Sequence, residues 1–387
     1  MIFKFGQLLD IIDGDRGKNY PNESDFCSKG YCLFLNAGNV TKSGWSFETN
    51  MFISKEKDEQ LRKGRVRRGN TVFTTRGTVG NAAYYGEKVT YDHIRINSGM
   101  VILNTKDSRI IDNEFVYYLV TSPIAKKTIE LFCSGSAQPQ LPIKDFVKIK
   151  YDLPALEEQK RIVAILSAYD DLIEVNNKRI KVLKQMAENL YKEWFVRFRF
   201  PGHETAEFEN GIPSGWKVVK VKEIVKRLPF GKLYKEEDTD KEGKVIVIDQ
   251  SQSEYVGFHN NEPSHIATSK NPIILFGDHS CKQQLMITPF SLSENVVPFV
   301  GKQNINTMYL YFLTNNLIET VEYKRHWTEF TAKKVLVAPS VLQECFVAKE
   351  IQFFEAIQTR KEQNRNLIKQ RDLLLPRLMS GKLEVHP

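Results

Sequence analysis

A chain of 387 residues with 41% hydrophobic and 26% charged content has the length for two or three domains with substantial cores. No apolar run approaches the roughly 18 residues that span a bilayer, and the opening MIFKFGQLLDIIDGD lacks the basic and then apolar regions of a signal peptide. A formal net charge of +8 favours a polyanionic partner without identifying one. Cys27, Cys32, Cys133, Cys281 and Cys345 are scattered and form no CxxC, so they read as free thiols of a reducing cytoplasm, with no zinc site.

Residues 1–152 read as an α/β domain of short strands and Gly-containing turns. Candidate strands lie at 72–75, 82–85 and 100–103, and 115–121 leads into a helix through Ser122-Pro123. Two stretches stand out. In the first, Arg62, Lys63, Arg65, Arg67 and Arg68 precede a strand that ends in Thr74-Thr75-Arg76-Gly77-Thr78. Gly admits close backbone approach, Thr donates to phosphate oxygens, and Arg forks onto phosphate or a guanine edge. A solvated charged loop before a hairpin fits the same residues. The second is a small polar loop with Ser136, Gln138 and Gln140. Its Gln side chains suit adenine edges, and equally a plain turn.

Residues 153–198 carry one long helix. Ile162, Leu166, Tyr169, Ile173, Asn176, Ile180, Leu183, Ala187, Leu190 and Trp194 follow one another in alternating steps of four and three, the period of a coiled-coil seam. Pro154 suits the helix mouth, and Glu157 and Glu158 complement its positive dipole end. At ~1.5 Å per residue such a helix is roughly 60 Å long, the length of a spacer or spine. An ordinary amphipathic core helix would share the seam.

Residues 199–337 repeat the first domain in outline after a Gly- and Pro-rich connection. RRGNTVFTTRGTVG is echoed by TSKNPIILFGDHSC, NSGMVILN by LSENVVPFVG and FVYYLVTS by MYLYFLTN. The alignment sets Arg76-Gly77-Thr78 against Gly277-Asp278-His279, so the presumed tips differ while the layout persists. Candidate contacts here are Lys232, Tyr234, Lys235, His279, Lys282, Lys324, Arg325, His326 and Trp327; a structural or merely solvated role is open for each. Residues 338–387 hold a second long helix, with Phe346, Ile351, Phe354, Leu367 and Leu374 as packing positions and Gly381 placed to end it. The fold expected is α/β (α+β): two similar domains alternating with two long coiled-coil helices, as an internal duplication.

Catalytic patterns are absent from the sequence. There is no GxGxxG and no GxxxxGK[ST]. Asp145 with Glu158-Gln159-Lys160 loosely mimics the spacing of a magnesium nuclease, but acids belong at a helix opening for dipole reasons. Asn271-Pro272 lacks a following aromatic clamp.

The run LPALEEQKRIVAILSAYDDLIEVNNKRIKVLKQMAENLYKEWFV resembles the central conserved region of type I restriction-modification specificity subunits. QRDLLLPRLMSGKLEV resembles their C-terminal conserved region, and GIPSGWKVVKVKEI the usual opening of a target-recognition domain. TTRGTVG and GSAQPQLPIKDFVKIKYDLP are similar to recurring pieces of those domains. The first domain departs from the pattern in lacking the Gly215-Trp216 type of opening, which leaves its exact start open. The resemblance implies a non-catalytic, cytoplasmic DNA-binding subunit. Each target-recognition domain would read one half of a bipartite double-stranded DNA site, with the two long helices packed antiparallel as a ruler and the duplicated halves related by a pseudo-two-fold axis. It implies two copies of a methyltransferase subunit that bind S-adenosylmethionine, and motor/endonuclease subunits that use ATP and Mg. No cofactor, metal or membrane contact is expected of this chain itself. A stand-alone DNA-binding scaffold or regulator, or a metal-dependent nuclease acting through Asp145 and Glu158, are the alternatives.

Overall fold

The computed structural model describes residues 1–135, 139–251, 254–320 and 324–383. The chain forms two compact units, Met1–Ile173 with Arg365–Pro387, and Glu174–Asn364. Both divisions fall inside long helices, Leu156–Tyr191 and Ser340–Met379, so each helix contributes residues to both units.

In the first unit a four-stranded antiparallel sheet runs in the order Leu9–Asp13, Met100–Thr105, Thr71–Thr74, Ala82–Tyr84. Successive side chains on a strand point to opposite faces. Phe73, Val101 and Leu103 therefore enter one core, which also takes up Ile162 and Leu166 of the central helix, while Val72, Met100 and Ile102 enter another. Burial on both faces explains why these strands read as apolar runs rather than alternations. The segment 115–121 differs from its expected role as a lead-in. Asn113–Thr121 is itself a helix, because Asp112 Oδ1 accepts the amides of Glu114 and Phe115; Ser122 then caps a second helix, Pro123–Leu131.

The second unit repeats this plan. Ile273–Gly277 lies between Gln283–Met286 and Val296–Gly301, with Val225–Arg227 at the edge. Ile274, Phe276, Val297 and Phe299 face one core, and Ile273, Leu275 and Val296 the other. Each unit also closes its chain ends as a strand pair, Ile2–Lys4 with Lys150–Asp152 and Lys217–Lys220 with Lys334–Val337. The first of these places a strand at Ile2 without the Gly-Trp opening.

The duplication extends to single hydrogen bonds. Gln159 Oε1 accepts the amide of the helix cap Asp112 at 2.9 Å, and its Nε2 donates to the Pro154 carbonyl at 2.9 Å. Gln343 does the same in the second unit, accepting from the cap Asn306 at 2.9 Å and donating to the Ala338 carbonyl at 2.8 Å. Each glutamine is buried and pins the mouth of its long helix to a helix of its own domain.

The seam of the central helix is as spaced in the sequence. Ile162, Leu166, Asn176, Ala187 and Trp194 are buried, and Tyr169, Ile173, Ile180, Leu183 and Leu190 half-buried, whereas the off-seam Leu172, Val175, Val182 and Met186 are exposed. Within the first unit its early turns share a core with Leu375, Leu378 and Met379 of the terminal helix; within the second, Ala187 and Trp194 share one with Phe346 and Val347. The pairing is therefore antiparallel in both. Phe346 is buried, and Ile351, Phe354, Leu367 and Leu374 are half-buried. The terminal helix ends with Gly381 at φ 67°, left-handed backbone that glycine adopts without strain. Among the described residues no helix is long and apolar enough to cross a membrane.

Candidate nucleic-acid interface

The basic run of the first unit divides into anchors and free ends. Asp58 is fully buried and receives the guanidinium of Arg95, itself buried, whose Nη2 also donates to the carbonyls of Asp58 and Leu61 at 2.7 and 3.0 Å. Arg65 closes on the same carboxylate. Burying that carboxylate is tolerable only because both guanidinia pair with it. Arg68 is likewise committed internally, against its expected place on DNA. Its Nη1 donates to the Gly86 and Val89 carbonyls at 2.6 and 2.8 Å, and its guanidinium lies 4.3 Å from the Tyr85 ring centroid. The exposed cations not spent in this way are Arg62, 3.8 Å from Asp15, and Lys63 and Arg67, which make no ion pair with a described residue. Arg95 and Asp58, which hold the run in place, escaped the sequence reading because nothing local distinguishes them.

Thr74 and Thr75 are buried, with hydroxyls donating to carbonyls of Thr78 and of Gly99, the latter at 3.1 Å; they shape the turn rather than face outward. Arg76, Gly77 and Thr78 are exposed. Gly77 has φ 72°, and a Cβ there would meet nothing within 4 Å, so backbone conformation, not crowding, calls for glycine. Ser136 and Gln138 lie outside the described residues. Gln140 is exposed and stands directly opposite Arg76 in an antiparallel bridge. Leu141 N–H donates to Thr75 O at 2.9 Å and Gly77 N–H to Pro139 O at 3.3 Å. Those bonds flank the Arg76–Gln140 pair, which makes it the closely spaced, non-hydrogen-bonded kind. Beside it is a pocket of about 240 Å³ lined by Asp13, Arg16, Thr75, Arg76, Gln140 and Ile143. Asp13 and Arg16 pair at 3.0 Å and were invisible in the sequence, lying some sixty residues from the tip.

In the second unit several expected contacts prove internal. Tyr234 is buried, stacked 4.1 Å from the His259 ring, with Lys232 4.9 Å from its own ring centroid. His326 is buried, and Trp327 packs against Phe276, Phe299 and Phe330. Lys282 Nζ donates to the Ser251 carbonyl at 2.7 Å. Lys235 is exposed, 3.7 Å from Glu237, and Lys324 is exposed. His279 is half-buried with Nδ1 3.1 Å from the Lys324 carbonyl, and Arg325 is exposed, 3.9 Å from Asp278.

Strand register corrects the sequence alignment of the tips by two residues. Thr74 pairs with Met100 as Gly277 pairs with Val296. Thr75 N–H then donates to Gly99 O as Asp278 N–H donates to Asn295 O, and Leu141 N–H to Thr75 O as His326 N–H to Asp278 O. Arg76 thus corresponds to His279, and Gln140 to Arg325.

Three of the residues that loosely suggested a nuclease make local structural contacts. Asp145 pairs with Lys148 at 2.8 Å, Lys160 with Glu157 at 2.8 Å, and Gln159 holds the helix mouth. Among the described residues no group of three or more His, Cys, Asp or Glu side chains stands where it could share a metal ion. His259 contacts Ser291 at 2.8 Å, but Asn261 N–H donates to His259 Nδ1 at 3.1 Å, so Nε2 carries the proton and donates to the hydroxyl. That is the reverse of nucleophile activation. Burial, with the nearby Lys232 charge, holds this imidazole below its usual pKa and hence neutral.

The molecule is thus a duplicated scaffold in which each unit takes up residues of both long helices. Residues 1–185 match the family model described as the type I restriction modification DNA specificity domain. The chain is 24% identical over 356 residues to the type I restriction enzyme MjaIX specificity subunit of Methanocaldococcus jannaschii, covering 82% of this chain and 78% of that one. It is 35% identical over 156 residues to the MjaVIII specificity subunit of the same organism, covering 40% and 36%. The fold is similar to that of the crystal structure of a type I restriction-modification S subunit from M. genitalium, with TM-score 0.58 and 15% identity over 98% of this chain and 95% of that one. Over residues 1–185 the chain carries the type I restriction modification DNA specificity domain, and its relatives along most of its length support a specificity subunit of a type I restriction-modification system.

Proposed function

We propose that each unit of this specificity subunit reads one half of a bipartite, asymmetric DNA site and that the two long helices set the gap between the halves. The observation that carries the reading is the duplication: the same strands, caps and glutamine pins support tips whose residues differ. Exposed Arg62, Lys63 and Arg67 suit phosphate contacts that give affinity and register, and the tips suit contacts that specify bases. On this reading the chain supplies the address and no chemistry. Two methyltransferase subunits carry S-adenosylmethionine, motor subunits carry ATP and Mg, and the assembly works in the cytoplasm. Replacing residues 1–152 with the corresponding segment of a relative tests it. One half-site should change and the other persist; a change in both would refute independent reading.

A further inference from the structure

If each unit reads a DNA half-site, as proposed, the geometry singles out two positions in each unit as the base readers, and their assignment rests on that reading. We propose that Arg76 and Gln140 specify neighbouring base pairs of one half-site, a G·C and an A·T pair, and that His279 and Arg325 fill the same two positions for the other half-site, Arg325 on a guanine.

The positions are fixed by backbone, not by side-chain chemistry. In the first unit Arg76 and Gln140 face each other across a bridge bounded by the Thr75–Leu141 and Gly77–Pro139 hydrogen bonds. Gln140 also exchanges both backbone bonds with Ser134 at 2.9 Å, so the bridge is the middle of a three-segment ladder and not a loose loop. Residues opposite each other in such a pair carry Cβ atoms about 4.5–5.5 Å apart on one face. Base pairs stack at about 3.4 Å. Two side chains so spaced address the same or adjacent base pairs without rearrangement.

Each side chain has the chemistry for one base. Arg76 is exposed and makes no ion pair with a described residue, and its planar fork matches guanine O6 and N7. Gln140 presents one acceptor and one donor, the complement of adenine N6 and N7. Thr74 and Thr75, the other polar residues of the strand end, spend their hydroxyls on carbonyls and face inward. Arg65 and Arg68 are spent on Asp58 and on the Gly86 and Val89 carbonyls. Among the described residues that leaves Arg76 and Gln140 as the long outward polar side chains of this tip, beside the short hydroxyls of exposed Thr78 and Ser134.

The second unit keeps one of the two flanking backbone bonds, with different occupants. His326 N–H meets Asp278 O as Leu141 N–H meets Thr75 O, and Asp278 is further fixed by accepting the amides of His326 and Trp327 at 3.0 and 2.9 Å. His279 Nδ1 takes up the Lys324 carbonyl, the counterpart of the Pro139 carbonyl bound by Gly77.

The test is selection from randomised double-stranded DNA with the full chain, comparing wild type with Arg76→Ala, Gln140→Ala, Arg325→Ala and Gln140→Arg. Each alanine variant should lose base preference at one position, by roughly 5- to 150-fold, and leave the rest of the site intact. Arg76→Ala and Gln140→Ala should affect adjacent positions of one half-site, and Arg325→Ala a position of the other. Gln140→Arg should move one preference from A·T to G·C, a gain that a misfolded chain cannot produce. Uniform weakening across all sequences would make these residues phosphate contacts and overturn the assignment, as would base preferences unchanged in every variant. A wild-type chain that selects no sequence would instead overturn the DNA reading itself.

Discussion

Asn176 Nδ2 donates to Asn364 Oδ1 at 2.9 Å inside the helix seam of the second unit, and Asn364 Nδ2 donates onward to Asn177 Oδ1 at 2.8 Å. Both Asn176 and Asn364 are buried, and they occupy seam positions where an aliphatic residue would bury more apolar surface. A polar pair at such a place fixes the register of two helices at a cost in stability, because any slip leaves both amides unpaired.

Asn176→Leu alone strands the Asn364 Oδ1 acceptor in the seam and should cost about 1–3 kcal/mol. The double variant Asn176→Leu, Asn364→Leu should recover most of that loss, or exceed wild type, while loosening the register. Urea denaturation of the four combinations gives the coupling directly. Strictly additive losses would show that the amides do not act as a pair.

Glu350 presents the opposite case. Counting seven residues on from each pinning glutamine reaches Leu166 in the central helix and Glu350 in the terminal helix, and both are fully buried. Neither oxygen of Glu350 finds a hydrogen-bonding partner among the described residues, and burial pushes its pKa up to about 8. The folded chain then holds a proton that the unfolded chain gives up above its ordinary value near 4.5. Stability should be highest below that value and decline as pH rises through 8, by on the order of 5 kcal/mol at most. Glu350→Leu should remove the decline and raise the melting temperature at pH 8. A wild-type chain whose stability is flat between pH 5 and 8 would contradict this.

The basic run should respond in two distinct ways. Neutralising Lys63 and Arg67 together should weaken binding to every DNA sequence and flatten log affinity against log salt, by up to about one unit per lost phosphate contact. Arg68→Ala should instead lower stability by about 1–3 kcal/mol, since the Gly86 and Val89 carbonyls lose their donor. A salt slope that changes with Arg68 and not with Lys63 and Arg67 would reverse the assignment.

The parts of this molecule legible in its sequence are those written in local period. The Ile162–Trp194 seam alternates four and three, and every member is buried or half-buried, Asn176 included. The repeat was legible as well, because apolar strand patterns survive divergence. The tips were legible only in pieces. Arg76 and Gln140 stood out separately, but their pairing depends on a bridge across more than sixty residues, which no local pattern encodes. The same blindness misread Arg68, whose partners are carbonyls on another turn, and His326 and Tyr234, whose burial is set by tertiary packing. It also shifted the second tip by two residues, since register is fixed by cross-strand bonds and not by resemblance.

The central claim, that the helix pair fixes the distance between two half-sites, is tested by lengthening both helices together. Four helix-forming residues inserted after Asn177 and four after Gln363 leave Asn176, Asn177 and Asn364 on one side of the change. They keep the antiparallel partners matched and add ~6 Å with nearly a full turn of rotation. At ~3.4 Å per base pair, selection from randomised DNA of variable gap should return both half-sites unchanged, one or two base pairs further apart. A folded variant that selects both half-sites at the wild-type gap would contradict the account.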